Sequence, residues 1–68
     1  MKLTIELDQE VDGRWIAEVP ELNILLYGSS RLDAVDKAQA AAREIVRDGI
    51  EHSLLPPDFV ISRFDLAE

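Results

Sequence analysis

Gly13-Arg14-Trp15-Ile16-Ala17-Glu18-Val19-Pro20-Glu21-Leu22-Asn23-Ile24-Leu25-Leu26-Tyr27-Gly28-Ser29-Ser30-Arg31-Leu32-Asp33-Ala34 is the stretch whose reading decides the fold. Trp15, Ala17 and Val19 alternate with Ile16 and Glu18, the two-residue period of a strand. Pro20 has no N–H to offer a ladder, so the strand should stop there. A second apolar run, Ile24 to Tyr27, closes at Gly28. Ser30, with Asp33 three residues later, has the spacing of a helix N-cap and its reciprocal partner. The expected order is strand, corner, strand, helix start.

Upstream, Lys2 to Asp8 alternates cleanly, with Leu3, Ile5 and Leu7 on one face and Thr4, Glu6 and Asp8 on the other. Joining this strand to the next through a two-residue Asp12-Gly13 turn would set Leu7 against Glu18 and mix charge with aliphatic carbon on both faces. A three-residue loop of Val11-Asp12-Gly13, with Gly13 left-handed, sets Leu7 against Ala17, Ile5 against Val19 and Glu10 against Arg14. That register leaves one face uniformly apolar. The other face carries Glu6, Asp8, Glu10 and Glu18 around Ile16, with Glu6 opposite Glu18. Like charges facing each other across a ladder repel, so this face is either well solvated or a surface for a basic partner.

Downstream, Leu32, Val35, Ala38, Gln39, Ala42, Ile45 and Val46 recur at three- and four-residue steps, predicting a helix from Ser30 to Asp48 with Gly49 as a left-handed stop. Asp33 stands four residues before Lys37, a favourable spacing on a solvated helix face. His52 falls where a polar side chain can satisfy the last helix carbonyls. Pro56-Pro57 imposes an extended turn, and Phe59 to Phe64 is expected as a fourth strand. The tail Asp65 to Glu68 shows no usable pattern and is expected to fray. Ile24 to Tyr27 and Phe59 to Phe64 are apolar at both parities and need cover on both sides. In a single domain of 68 residues this points to a homo-oligomer, with Ile24, Leu26, Tyr27, Val60 and Phe64 as candidate interface residues. The fold class is α+β: a two-layer β-β-β-α-β domain over residues 1–68, with three antiparallel strands, one helix and a C-terminal strand. Gly13, Pro20, Gly28, Ser30 and Gly49 have structural parts in it.

The formal net charge is −7, which disfavours general phosphate binding and fits either plain solubility or a basic protein partner. With no Cys there is no disulfide and no thiolate chemistry, and His52 alone builds no imidazole metal site. No cofactor is expected. No apolar run approaches a membrane span and no basic-then-apolar leader opens the chain, so a cytoplasmic protein is expected. Ser29, Ser30 and Ser53 have no convincing base near them in sequence, and the three glycines all fall at turns or caps rather than in a phosphate loop. Glu6, Asp8 and Glu18 could collect a divalent metal, but an enzyme is the least favoured reading.

The ordered set Asp12-Gly13, Trp15, Ala17-Glu18-Val19-Pro20-Glu21-Leu22, Gly28-Ser29-Ser30 and Asp33-Ala34 resembles the HicB family of antitoxins from bacterial and archaeal toxin–antitoxin pairs. The resemblance covers about the first fifty residues. A Pro-Gly pair usually follows the Leu in that family, whereas here Asn23 alone makes the corner, so the next strand should be re-aimed. The resemblance implies a partial ribonuclease H-like fold and an antitoxin that occludes a HicA-like toxin, a small ribonuclease that cleaves messenger RNA. The chain after Gly49 is too short for the DNA-binding module many members carry, so direct DNA binding is not expected. A stand-alone oligomeric scaffold of HicB type is the alternative reading.

Overall fold

The computed structural model describes residues 1–67, and Glu68 lies outside the described residues. Strand β1, Lys2–Gln9, turns into β2, Trp15–Val19; a single 3-10 turn, Pro20–Leu22, leads to β3, Ile24–Gly28. Helix α1, Arg31–Glu51, then crosses to β4, Arg63–Ala67. The sheet order is β3-β2-β1-β4. The first three strands are antiparallel, and β4 lies parallel to β1 at the far edge. β3 and β4 therefore run the same way on opposite edges, and a helical crossover is the usual means of returning the chain for a parallel strand.

The hairpin has the register expected from its faces: Leu7 opposes Ala17 and Glu6 opposes Glu18. Glu10 N–H donates to Arg14 O at 2.7 Å, and Gly13 N–H to Glu10 O at 3.0 Å. Gly13 has φ of 94°, a conformation glycine reaches without Cβ strain. At the other end of the hairpin, Pro20 breaks the ladder, and the next β1 amide finds a different acceptor. Thr4 N–H donates to both Glu21 carboxylate oxygens at 3.1 Å. Asn23 makes the corner in the left-handed region, φ 57°, which Asn tolerates better than most residues. Its N–H closes the turn on Pro20 O at 3.2 Å.

One face of the sheet is dry. Leu3, Ile5, Leu7, Ala17, Val19 and Ile24 are buried against Ala34, Val35, Ala38 and Ala42 of α1. Leu3, Ile5 and Val19 are fully buried, each worth about 1.5–3 kcal/mol relative to exposure. The run of alanines lets α1 lie close to the sheet, and the approach is tightest at its start. A Cβ placed on Gly28 would stand 2.4 Å from Ala34 N and 2.6 Å from its Cα. Gly28 is there because the helix N-terminus rests directly on β3. Ser30 caps the helix as expected, its Oγ accepting from Asp33 N–H at 3.0 Å. The expected return bond falls one residue earlier, the Asp33 carboxylate accepting from Ser29 N–H at 2.9 Å, and Asp33 pairs with Lys37 at 3.1 Å.

Four expectations are corrected. Gly49 does not stop the helix: it is buried within α1, which runs on to Glu51, and the left-handed residue is Ser53, φ 59°. Gly49 instead receives Leu55, whose Cδ1 would be 2.8 Å from any Cβ there. Second, the buried stripe of α1 is Ala34, Val35, Ala38, Ala42, Val46 and Gly49, whereas Leu32 is 69% exposed and Ile45 is 43% exposed. The helix N-terminus sits so close to β3 that Ala34, not Leu32, faces the sheet. Third, β4 begins at Arg63 rather than Phe59. Phe59 to Ile61 precede the sheet and lie beside Val46, Arg47 and Ile50 of the helix. Fourth, Asp65 to Ala67 do not fray but pair with Thr4 to Glu6. The Met1 amino group donates to Val60 O at 2.8 Å and Ser62 N–H donates to Met1 O at 2.9 Å, starting the parallel pairing.

Candidate functional site

The sheet's second face is not covered by α1. Alternation along β1 and β2 sends Glu6, Asp8, Ile16 and Glu18 to this side, and the register brings them together: Glu6 opposes Glu18 and Asp8 opposes Ile16. They line a shallow depression of about 480 Å³, together with Leu7 and Ala67. Glu6, Asp8 and Glu18 are exposed and Ile16 is half-buried. Glu10 lies just past the end of β1, beside the hairpin loop, and does not line the depression.

Two basic groups near this patch are paired with other carboxylates. Arg14 Nε binds Asp12 at 2.9 Å, with its guanidinium 4.9 Å from the Tyr27 ring centre, and Arg63 Nε binds Asp65 at 3.1 Å. Among the described residues no ion pair reaches Glu6, Asp8 or Glu18. The result is a cluster of three exposed carboxylates around one aliphatic side chain, a surface suited to cationic groups with an apolar contact at its centre. On the β3 side the patch continues as Tyr27 opposite Ile16 and Leu25 opposite Glu18. Leu25 is 58% exposed and Tyr27 is 43% exposed.

Three other carboxylates have structural work. Bonds from the Arg14 N–H, and then its guanidinium, hold Asp12 below the usual aspartate range. Glu21 is held low by its own N–H and by that of Thr4, and Asp33 by the Ser29 N–H and then by Lys37. These are turn and cap groups, outside the depression. His52 caps α1, its Nδ1 2.9 Å from Asp48 O, the structural part expected of it. Among the described residues no group of three or more His, Asp or Glu is placed to hold a metal ion, and no helix is long and apolar enough to cross a membrane.

The candidate oligomer residues do not form one surface. Ile24 is in the core, and Leu26 and Phe64 pack against that core on the helix side. Arg43 lies over the Phe64 ring at 5.5 Å. Val60, 67% exposed, lies on a hollow of about 380 Å³ beside the C-terminal half of α1. Only Tyr27 is on the open sheet face, with Leu25, which the sequence alone did not single out. Comparison with protein-family models, with curated proteins and with solved structures finds no match to this chain. Two residues of the site were missed from sequence. Ala67 enters through the β1–β4 pairing, for which no local signal exists. Leu25 could be told from Leu26 only once the β2–β3 register was known.

Proposed function

We propose that this protein is an antitoxin-like binding protein, not an enzyme, that neutralises a HicA-type, mRNA-cleaving toxin by covering its RNA-binding surface. The reading rests on the likeness of residues 12–34 to HicB antitoxins, and one structural observation carries it to a surface. Glu6, Asp8 and Glu18 surround Ile16 on a sheet face that the chain's own helix leaves open. A ribonuclease presents cationic side chains to its substrate's phosphates, and an acidic face with an aliphatic centre is complementary to such a surface in charge and in grip. A toxin that acts on messenger RNA places its antitoxin in the cytoplasm.

The test is enzymatic. A HicA-type toxin encoded beside this chain, incubated with RNA, should stop cleaving when one equivalent of the protein is added, and the two should co-elute. A neighbouring toxin that neither binds nor is inhibited would overturn the reading. A stand-alone oligomeric role is the second reading, favoured by Leu25 and Tyr27 exposed at the sheet edge.

A further inference from the structure

The two edges of the sheet are built differently. β4 carries Arg63 and Asp65, charged residues of the kind that discourage edge-to-edge pairing. β3 is Ile-Leu-Leu-Tyr-Gly, without charge, Pro or bulge. It lies in Leu22 to Ser30, the longest uncharged run of a chain that is 31% charged. The direction of its free backbone groups follows from the hairpin. Glu10 N–H is bonded to Arg14 O, so in the antiparallel alternation Ile16 and Glu18 bond toward β1, while Trp15, Ala17 and Val19 bond toward β3. Their partners are Gly28, Leu26 and Ile24. The N–H and C=O groups of Leu25 and Tyr27 therefore point out of the edge.

We propose that β3 pairs with β3 of a second copy, antiparallel about a two-fold axis at Leu26, to make one continuous eight-stranded sheet. An antiparallel hydrogen-bonded pair joins two residues that both point outward, and only the register placing Leu25 opposite Tyr27 of the other copy uses both outward residues of both chains. That register also sets exposed Leu25 against exposed Tyr27 on the open face, extending the Ile16–Tyr27 row across the junction as apolar contact. Charge selects this edge for a self-association. The acidic face would repel its own copy, whereas Ile24 to Gly28 brings no charge to the contact. The interface is isologous and closes at two subunits. It leaves both acidic depressions open, side by side on one sheet, so it stands or falls apart from the toxin-binding reading.

The test combines mass with amide exchange. Light scattering at tens of micromolar should give about twice the 7.6 kDa of one chain, and hydrogen exchange should find the Leu25 and Tyr27 amides protected, losing protection on dilution. Leu25→Lys places an ammonium beside Glu18 within the same chain, so at dilutions where both are monomeric the domain should melt as the parent does, while the dimer weakens tenfold or more. Val60→Lys, at the other exposed apolar site, should leave the dimer unchanged. A monomer at these concentrations, an open-ended aggregate, an oligomer that survives Leu25→Lys but not Val60→Lys, or rapid exchange of both amides in the dimer would each overturn the proposal.

Discussion

The two faces of the sheet are made from alternate residues of the same strands, and they are opposite kinds of surface. Toward the helix, Leu3, Ile5, Leu7, Ala17, Val19 and Ile24 form a core, and among the described residues no polar or charged side chain is buried. Toward the open side, Glu6 faces Glu18 and Asp8 faces Ile16 across the β1–β2 ladder. A one-residue slip would exchange the two sets, so the aliphatic face fixes the register and the acidic face is carried along by it. Nothing in the packing of this domain asks for Glu6 opposite Glu18, a pairing that works against the fold. The covered face thus accounts for stability, the open face is the one proposed to bind a partner, and the two should separate under mutation.

The covered face should break first. Gly28→Ala drives a Cβ into the Ala34 backbone at 2.4 Å, so the helix start must lift from β3. Denaturant melts should show a loss of about 3 kcal/mol. A smaller effect is expected at the hairpin. Gly13→Val meets no neighbour but forces a β-branched residue to φ of 94°, for about 1–2 kcal/mol by the same melts. Binding through the open face should survive in the fraction that remains folded.

Acid should act on the frame through Glu21 and Asp33. Both carboxylates are held below their ordinary values by hydrogen bonds, Glu21 by its own N–H and that of Thr4, Asp33 first by the Ser29 N–H. Folding favours their ionised forms, so their stabilisation is present above the unfolded-state values, 4.5 and 3.8. It is lost as pH falls through the lower folded-state values. A melt series from pH 7 to pH 2 should show stability declining below about pH 4.5, with a shallower decline in Glu21→Gln. The smallest effect has the opposite sign. Replacing Glu6 and Glu18 together by Gln should stabilise the free domain by about 0.2–1 kcal/mol at low salt, by removing a cross-strand repulsion.

How much was legible in the sequence follows the same division between local and distant causes. The alternation of Leu3 to Leu7 and of Trp15 to Val19, the stop at Pro20 and the Ser30 cap are set by residues a few positions apart, and all of them were readable. The placement of Glu6, Asp8, Ile16 and Glu18 on one patch was readable too, because a two-residue period and a loop length determine it. Gly49 misled because a glycine late in a helical pattern usually ends it; here Leu55, folding back from the next loop, requires it inside the helix. Phe59 to Ile61 were apolar enough for a strand, but they lie against the helix, and β4 starts where Met1 offers its first backbone bonds. Ile24 to Leu26 were ambiguous for the same reason, since an apolar run without alternation does not say which side faces in.

The most direct test of the acidic face as a recognition surface is the kinetics of binding to a HicA-type toxin at low and high salt. Exposed carboxylates act on encounter and are screened beyond about 8 Å at physiological ionic strength, while an aliphatic contact that loses its water acts on dissociation. Glu6→Gln with Glu18→Gln should therefore slow association and flatten its salt dependence with dissociation little changed, and Ile16→Ala should speed dissociation alone. Unchanged rates in both variants would contradict the account and move the interface to the helix or to β4.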